Sequence, residues 1–297
     1  IILGTKMKET LKKVGFIRNL YFWLRFVYNN RYIPNFKNPR TYNEKVNYRK
    51  KNANHPLFST CADKIAVKDY VASKIGEKYI IPTLFTGSCI TVKKARSLLE
   101  EHGDCLLKAN HNSGPVYLLT TDMTQVDLKA ACDDVNHQLT IDFGKYQREP
   151  WYSEIKPQVL VEKRIYPENG EKDLKDYKFH VFKQGDNGHK ILLHVDYDRS
   201  TNHNRSFFDE GLNWIPFSMK YPCVKSSIDE PDNYEEMLYL SKVLSEPFTY
   251  VRVDFYNVGG KIYFGEMTFA HENGRGDFSS KEHDLWMGNL WQGDPAK

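Results

Sequence analysis

The sequence predicts an α+β protein in which two mixed lobes follow a basic helical segment. Three observations carry that expectation. Residues 1–51 hold thirteen Lys plus Arg against only Glu9 and Glu44, a local charge of +11 in a chain whose total is +4, so the other 246 residues carry −7. From Cys61 onward, helical and strand periodicities alternate. Near the far end, a period-two pattern interrupted by Asn257-Val258-Gly259-Gly260 reads as a hairpin. The expected divisions are 1–56 for the basic segment, 57–160 for the first lobe and 161–297 for the second.

In the basic segment, Leu11, Val14, Phe16-Ile17, Leu20-Tyr21, Leu24 and Val27-Tyr28 recur at helical spacing among Lys12, Lys13, Arg18 and Arg25. Pro34 and Asn38-Pro39 break that helix, and Thr41-Tyr42-Asn43-Glu44 has capping-box spacing for a second one. A basic amphipathic helix can rest on an anionic membrane surface or bind an anionic polymer. Nucleic acid is not expected, because the aromatics sit at core spacing and no reading module is present.

Asp63-Lys64 open a helix that runs through Ile75 to Gly76, and Tyr79-Ile80-Ile81-Pro82 begin a strand. A helix over 92–102 leads to the buried strand Cys105-Leu106-Leu107-Lys108-Ala109-Asn110, the loop His111-Asn112-Ser113-Gly114-Pro115 and a strand over 116–120. A strand that delivers a lysine into a small, polar, Gly-containing loop suits phosphate: Gly allows close approach, amides and Ser113 donate, and Lys108 neutralises charge. A plain hairpin turn has the same composition. Further on come a helix over 126–139, a strand over 157–165, a polar bend over 168–172 and strands over 177–182 and 191–197. A loop over 199–205 with two arginines and a helix over 233–244 complete the run.

The hairpin concentrates the chemistry. With Val258 to Gly260 as a three-residue loop, Arg252 lies opposite Glu266 and Asp254 opposite Phe264, so a guanidinium and two carboxylates share one face, backed by Val251, Val253 and Phe255. A one-residue slip would separate the carboxylates. Two strand carboxylates so close repel unless a cation lies between them, and hard oxygen ligands favour magnesium. A solvated charged face would show the same alternation.

Composition narrows the setting. Apolar and aromatic residues make up 40% and 14% of the chain, enough for a substantial core, and the early run Leu20-Tyr21-Phe22-Trp23-Leu24 is too short to span a bilayer. Five widely spaced cysteines without a CxxC pair argue for a reducing cytoplasm and against a zinc or disulfide framework. The expected location is cytoplasmic, with the basic helix as the means of any peripheral contact at the inner membrane face.

Taken in order, Asn38-Pro39-Arg40-Thr41-Tyr42-Asn43-Glu44-Lys45, Asp63-Lys64, Lys108 with its Asn-Ser-Gly loop, Val161-Glu162-Lys163-Arg164-Ile165, Asp176-Tyr177-Lys178-Phe179, and the closing Arg-x-Asp and Gly-Glu-Met-Thr-Phe strands resemble the TupA-like ATP-grasp family. The resemblance covers about residues 30–290. It implies an ATP-grasp fold with ATP clasped between two α+β lobes. Lys64 and Lys108 then match the phosphate-binding lysines, and Ser113 and Gly114 the flap over them. Glu162, Lys163, Arg164 and Ile165 match the adenine-reading hinge, Asp176 holds the ribose with Lys178 close by, and Asp254 and Glu266 bind magnesium. Arg252, and more loosely Arg199, match the arginine that stabilises the reacting groups. Thr268 stands where many relatives place an Asn metal ligand, and residues 1–56 are too short and helical for the acid-binding domain that many relatives carry before the lobes, so the substrate site is expected to be built differently.

The activity implied is an ATP-dependent carboxylate–amine ligase, acting on a uronic acid or acidic amino acid and an amine in cell-surface polysaccharide synthesis. The basic segment would meet a lipid-linked or polymeric anionic glycan. Two other readings stay open. One is a sugar kinase, with His111, His180, His194 or His271 as base; the other is a non-catalytic or glycosyl-transferring polysaccharide protein.

Overall fold

Two antiparallel sheets organise the chain, and the second carries the polar face on which the chemistry converges. In this computed structural model, residues 15–168, 174, 176–185, 188–197, 202–225 and 228–294 are described. The expected helix before residue 15, part of the polar bend and Arg199 lie outside them.

The first described helix, α1 (Gly15–Asn30), precedes α2 (Tyr42–Asn52), α3 (Leu57–Ala62) and α4 (Ala66–Ile75). The capping box at α2 forms as its spacing predicts. Thr41 accepts from the Glu44 amide, and the Glu44 carboxylate accepts from the Thr41, Arg40 and Asn35 amides. Lys64 is in a turn before α4, where its amide donates to the Asn110 carbonyl. The strand expected from Tyr79 starts only after Pro82, as β1 (Thr83–Gly87), because Glu77–Tyr79 close a 3-10 turn. Then follow α5 (Val92–His102), β2 (Cys105–Ala109), β3 (Val116–Leu119), α6 (Gln125–Gln138), the short α7 (Phe143–Gln147) and α8 (Pro150–Ser153), and β4 (Val159–Lys163). The strand order β1-β4-β2-β3 makes the first sheet.

The second sheet comprises β5 (Asp176–Gln184), β6 (Gly188–Tyr197), β7 (Asn204–Phe208), β8 (Trp214–Ile215), β9 (Tyr250–Val258) and β10 (Lys261–Thr268), in the order β10-β9-β5-β6-β7-β8. Helix α9 (Tyr234–Ser245) precedes β9, and α10 (Lys281–Leu290) follows the last strand. Arg205, expected in a loop, is on β7.

The apolar residues collect into two cores. One lies between the first sheet and α5 and α6, around Leu98, Leu107, Leu128 and Val161. The other joins one face of the second sheet, through Phe179, Val251, Val253 and Phe255, to Tyr42 and Val46 of α2, Val71 of α4, Trp151 of α8 and Leu244 of α9. No described helix is long and apolar enough to cross a membrane.

One buried ion pair fastens α2 to the end of the described chain. Arg49, 1% exposed, donates from Nε to Asp294 Oδ2 at 2.6 Å and from Nη2 to Oδ1 at 2.8 Å. Its Nη1 reaches the carbonyls of Tyr250 (2.8 Å) and Phe269 (3.2 Å), so one guanidinium ties the helix to the start of β9 and to the residue that follows β10. Removing one member of such a pair leaves the other charge buried, at a typical cost of about 3–5 kcal/mol. Arg49→Ala should lose about that much in urea unfolding, and Arg49→Lys should recover little because an ammonium cannot reproduce the fork. A loss below about 1 kcal/mol for Arg49→Ala would remove the pair from any structural role.

Candidate active site

The hairpin does not pair as the three-residue loop predicts. It turns on Gly259-Gly260, both at positive φ (56° and 72°), so Lys261 pairs with Val258 and Phe264 with Phe255. That register alone would send Glu266 to the apolar face. A bulge between Phe264 and Glu266, at Gly265, adds one residue and restores it: Glu266 comes opposite Asp254, and Thr268 opposite Arg252. A Cβ at Gly265 would sit 3.1 Å from the Asp254 carbonyl oxygen, which accounts for glycine at the bulge. The expected face is therefore present, with different pairing.

Across the sheet that face continues in rows. Lys178 on β5 lies beside Asp254 on β9 and His194 on β6, while His180 lies beside Arg252. Alternate residues Tyr177, Phe179 and Val181 enter the core, so a single strand serves both surfaces.

Arg252 is the hub. Its Nε and Nη2 donate to Asp254 Oδ1 and Oδ2, both at 2.7 Å, and Nη2 also reaches Glu266 Oε1 at 2.6 Å. Its Nη1 meets His271 Nδ1 at 2.5 Å; because Arg can only donate, His271 carries its own proton on Nε2. Burial pushes the Asp254 carboxyl up to about 7, against the pull of Arg252. Glu266, which opens into the cavity, is held below the usual carboxylate range: burial raises it, but Arg252, Lys64 and Lys178 lower it more. Thr268 donates to Glu266 Oε1 at 3.3 Å. Two carboxylates against one guanidinium, with hydroxyl oxygen nearby, form a hard-oxygen donor set that fits magnesium.

Facing this surface, Lys64 and Lys108 line the same cavity of about 340 Å³ as Asp176, Lys178, Asp254 and Glu266. Lys64 donates to the Asn112 carbonyl of the Ser-Gly loop, and Lys178 pairs with Asp176 and lies 3.5 Å from Asp196. A second cavity of about 530 Å³ adjoins the first, sharing Arg252, Glu266, His271 and Glu272 with it. Ser113 lines this second space, and a Cβ on Gly114, at φ 103°, would meet nothing within 4 Å.

The hinge residues fall differently. Glu162 turns its carboxylate to Lys108 (2.5 Å) and Lys68 (2.6 Å), which keep it below the ordinary range despite burial. Lys163 is exposed, Arg164 pairs with Asp104 at 2.7 Å, and neither these two nor Ile165 lines either cavity. Arg199 lies outside the described residues, and the arginine found beside the site is Arg205, bound to Asp196 at 2.8 Å and Glu272 at 2.8 Å. Neither acid was legible as a site residue, because both partners come from other elements.

The histidines named as possible bases are built into the wall. His180 bridges the Tyr250 hydroxyl (2.9 Å) and His194 (3.2 Å), and His194 reaches Asp196 at 3.1 Å. Burial, then nearby guanidinium groups, hold His180, His194 and His271 well below the ordinary imidazole range, so they are neutral. His111 meets the Ile141 carbonyl at 3.1 Å.

A family model described as TupA-like ATPgrasp matches residues 44–292. No curated protein sequence matches the chain. Among solved structures, the chain is similar to D-alanine–D-alanine ligase from Helicobacter pylori at 19% identity and TM-score 0.45, over 79% of this chain and 61% of that one. It is similar to the ADP complex of N5-carboxyaminoimidazole ribonucleotide synthetase at 11% identity and TM-score 0.42, over 71% and 45%. D-alanyl-alanine synthetase A from Vibrio cholerae gives 13% identity and TM-score 0.43, over 77% and 64%. The chain thus spans less than two thirds of each of these structures.

Arg252→Ala strips the buried Asp254 of its cation, a change that typically costs about 3–5 kcal/mol. Asp254 titrates higher in the folded than in the unfolded chain, so the folded state holds the extra proton and stability falls as pH rises from about 4 through about 7. Losing Arg252 extends that window upward. Urea unfolding should therefore show a larger deficit for Arg252→Ala at pH 8 than at pH 5.5; equal deficits would mean that Asp254 does not depend on this guanidinium.

Proposed function

This chain belongs to the TupA-like ATP-grasp family and has the ATP-grasp fold, and from that premise we propose that it is an ATP-dependent carboxylate–amine ligase. The observation that supports this most is the convergence of Lys64 and Lys108, from the part of the chain around the first sheet, with Asp254 and Glu266 of the second in one cavity. Polyphosphate needs cations, a metal needs hard oxygens, and the cavity offers both. The proposed substrates are a uronic acid or acidic amino acid and an amine, in cell-surface polysaccharide synthesis.

In this reading the triphosphate lies between the two sheets, with Lys64 and Lys108 on its oxygens. Asp254 and Glu266 would hold magnesium, which neutralises the charge of the transferred phosphoryl group. A substrate carboxylate oxygen attacks the γ-phosphorus in line; the bond to the β-phosphate oxygen breaks, and ADP leaves an acylphosphate behind. The amine nitrogen then attacks the acyl carbon, the acyl–oxygen bond breaks, phosphate departs and the nitrogen gives up its proton. Arg252 sits at the junction of the two cavities, where it can stabilise negative charge on both the acyl oxygen and the phosphate. The rest is positioning, so no nucleophilic Ser or Cys is required.

The decisive assay is ADP release with magnesium and ATP over uronic acids and acidic amino acids, with hydroxylamine as trap. Acid-dependent ADP release with hydroxamate is expected, and Asp254→Ala with Glu266→Ala should abolish it in a folded protein. ADP release with a stable phosphorylated sugar and no hydroxamate would replace the ligase with a kinase.

Lys64 supplies a pH signature. Burial lowers it to about 8, with Glu266 holding it up and Lys108 pushing it further down. Affinity for Mg-ADP should weaken from pH 7 to pH 9 as the ammonium is lost, and Lys64→Arg should flatten the dependence. Parallel declines in the two proteins would take Lys64 off the phosphates.

A further inference from the structure

The second cavity carries a charge arrangement that nucleotide binding does not use. Its acids are mostly partnered: Glu266 with Arg252, Glu272 with Arg205 and Lys220, and Glu149 with the Asn273 amide at 2.8 Å. Asp277, at the exposed edge, forms no ion pair among the described residues. Two guanidinium groups on the same wall, Arg25 and Arg275, form no ion pair with a carboxylate among the described residues. Arg275 lies over the Phe22 ring at 5.6 Å, and Arg25 donates to the Tyr21 hydroxyl at 3.3 Å. Burial and then the like charge of Arg25 lower Arg275 to about 10, against the opposing pull of Tyr21 and Glu149.

Arg25 belongs to α1, which precedes the matched region 44–292. The helix is docked at this place by polar contacts as well as by Phe22: Asn29 donates to the Arg275 carbonyl at 3.5 Å, and Asn43 Nδ2 donates to Asn30 Oδ1 at 2.7 Å. With the neighbouring acids Glu266, Glu272 and Glu149 engaged by other groups, a like-charged pair on one cavity wall suits an anion, since a planar or tetrahedral oxyanion accepts from guanidinium forks.

We propose that Arg25 and Arg275 clamp an anionic group, carboxylate or phosphate, on the substrate that shares the site with the nucleotide. Helix α1 therefore builds part of the substrate pocket. This rests on the ligase reading for what the neighbouring cavity holds, but the clamp itself concerns only the second cavity.

Calorimetric titration decides it, using D-glucuronate and L-glutamate as carboxylate probes, glucose 1-phosphate as the phosphate probe and glucose as the neutral control. Each is titrated with and without Mg-ADP. At least one anionic probe should bind where glucose does not, Arg275→Ala should weaken it at least tenfold, Arg25→Ala severalfold, and Arg275→Lys should keep part of the affinity. The favoured probe tells carboxylate from phosphate. Unaltered Mg-ADP binding in all three variants would show that the effect belongs to the clamp and not to folding. Probe affinity equal in wild type and Arg275→Ala, or no anionic probe binding to the wild type, overturns the proposal. Failure of Mg-ADP to bind the wild type would instead defeat the ligase reading, while the probe titrations without nucleotide still decide the clamp.

Discussion

A buried guanidinium between two carboxylates is the constraint to which the rest of the second sheet conforms. Arg252, Asp254 and Glu266 come from facing strands, and their contacts of 2.6–2.7 Å require both the tight Gly259-Gly260 turn and the Gly265 bulge. Desolvated charges are tolerable only when nearly every polar atom around them is engaged. That demand spreads outward: His271 accepts from Arg252, His180 bonds through one ring nitrogen to the Tyr250 hydroxyl and through the other to His194, and Lys178 compensates Asp176 and Asp196. Neutral imidazoles line this network because three cationic side chains already occupy it.

The first sheet reaches this surface through a backbone clasp. The Lys64 amide bonds to the Asn110 carbonyl, Asn110 Nδ2 to Asp63 at 2.9 Å, and the Asn110 amide to the Gln158 carbonyl at 3.0 Å. The turn before α4, the end of β2 and the approach to β4 are thereby locked together. Positional control of the lysines thus comes from main-chain geometry, which leaves their ammonium groups available for exchange of partners.

Much of this was legible in the amino-acid order, for local reasons. Alternation marked β9 and β10, the capping box marked α2, and the lysine-bearing strand with its Ser-Gly loop marked one wall of the cavity. Features that depend on partners distant in sequence were not legible. A bulge looks like any strand glycine until its partner is known, so the hairpin register was misread although the shared face was right. Glu162 reads as a hinge residue until Lys68 is seen across from it, and Arg275, Glu149 and Glu272 gain meaning only when α1 and the 3-10 turn His271–Gly274 close the second cavity. Arg205 has no motif at all; its position opposite Asp196 is a property of the β6–β7 ladder.

The double ion pair of Glu162 has a consequence for which anions can enter. Lys108 already has a partner, a carboxylate that is itself anchored by Lys68, so an incoming oxyanion must displace or share an existing bond and does not meet a bare cation. In the proposed function a monovalent anion would gain little from that exchange, whereas a chain of phosphates would engage Lys108 with one oxygen and Lys64 with another. On the proposed nucleotide reading, the arrangement would set a threshold on ligand valency, because the Glu162 carboxylate occupies the place a small anion would take.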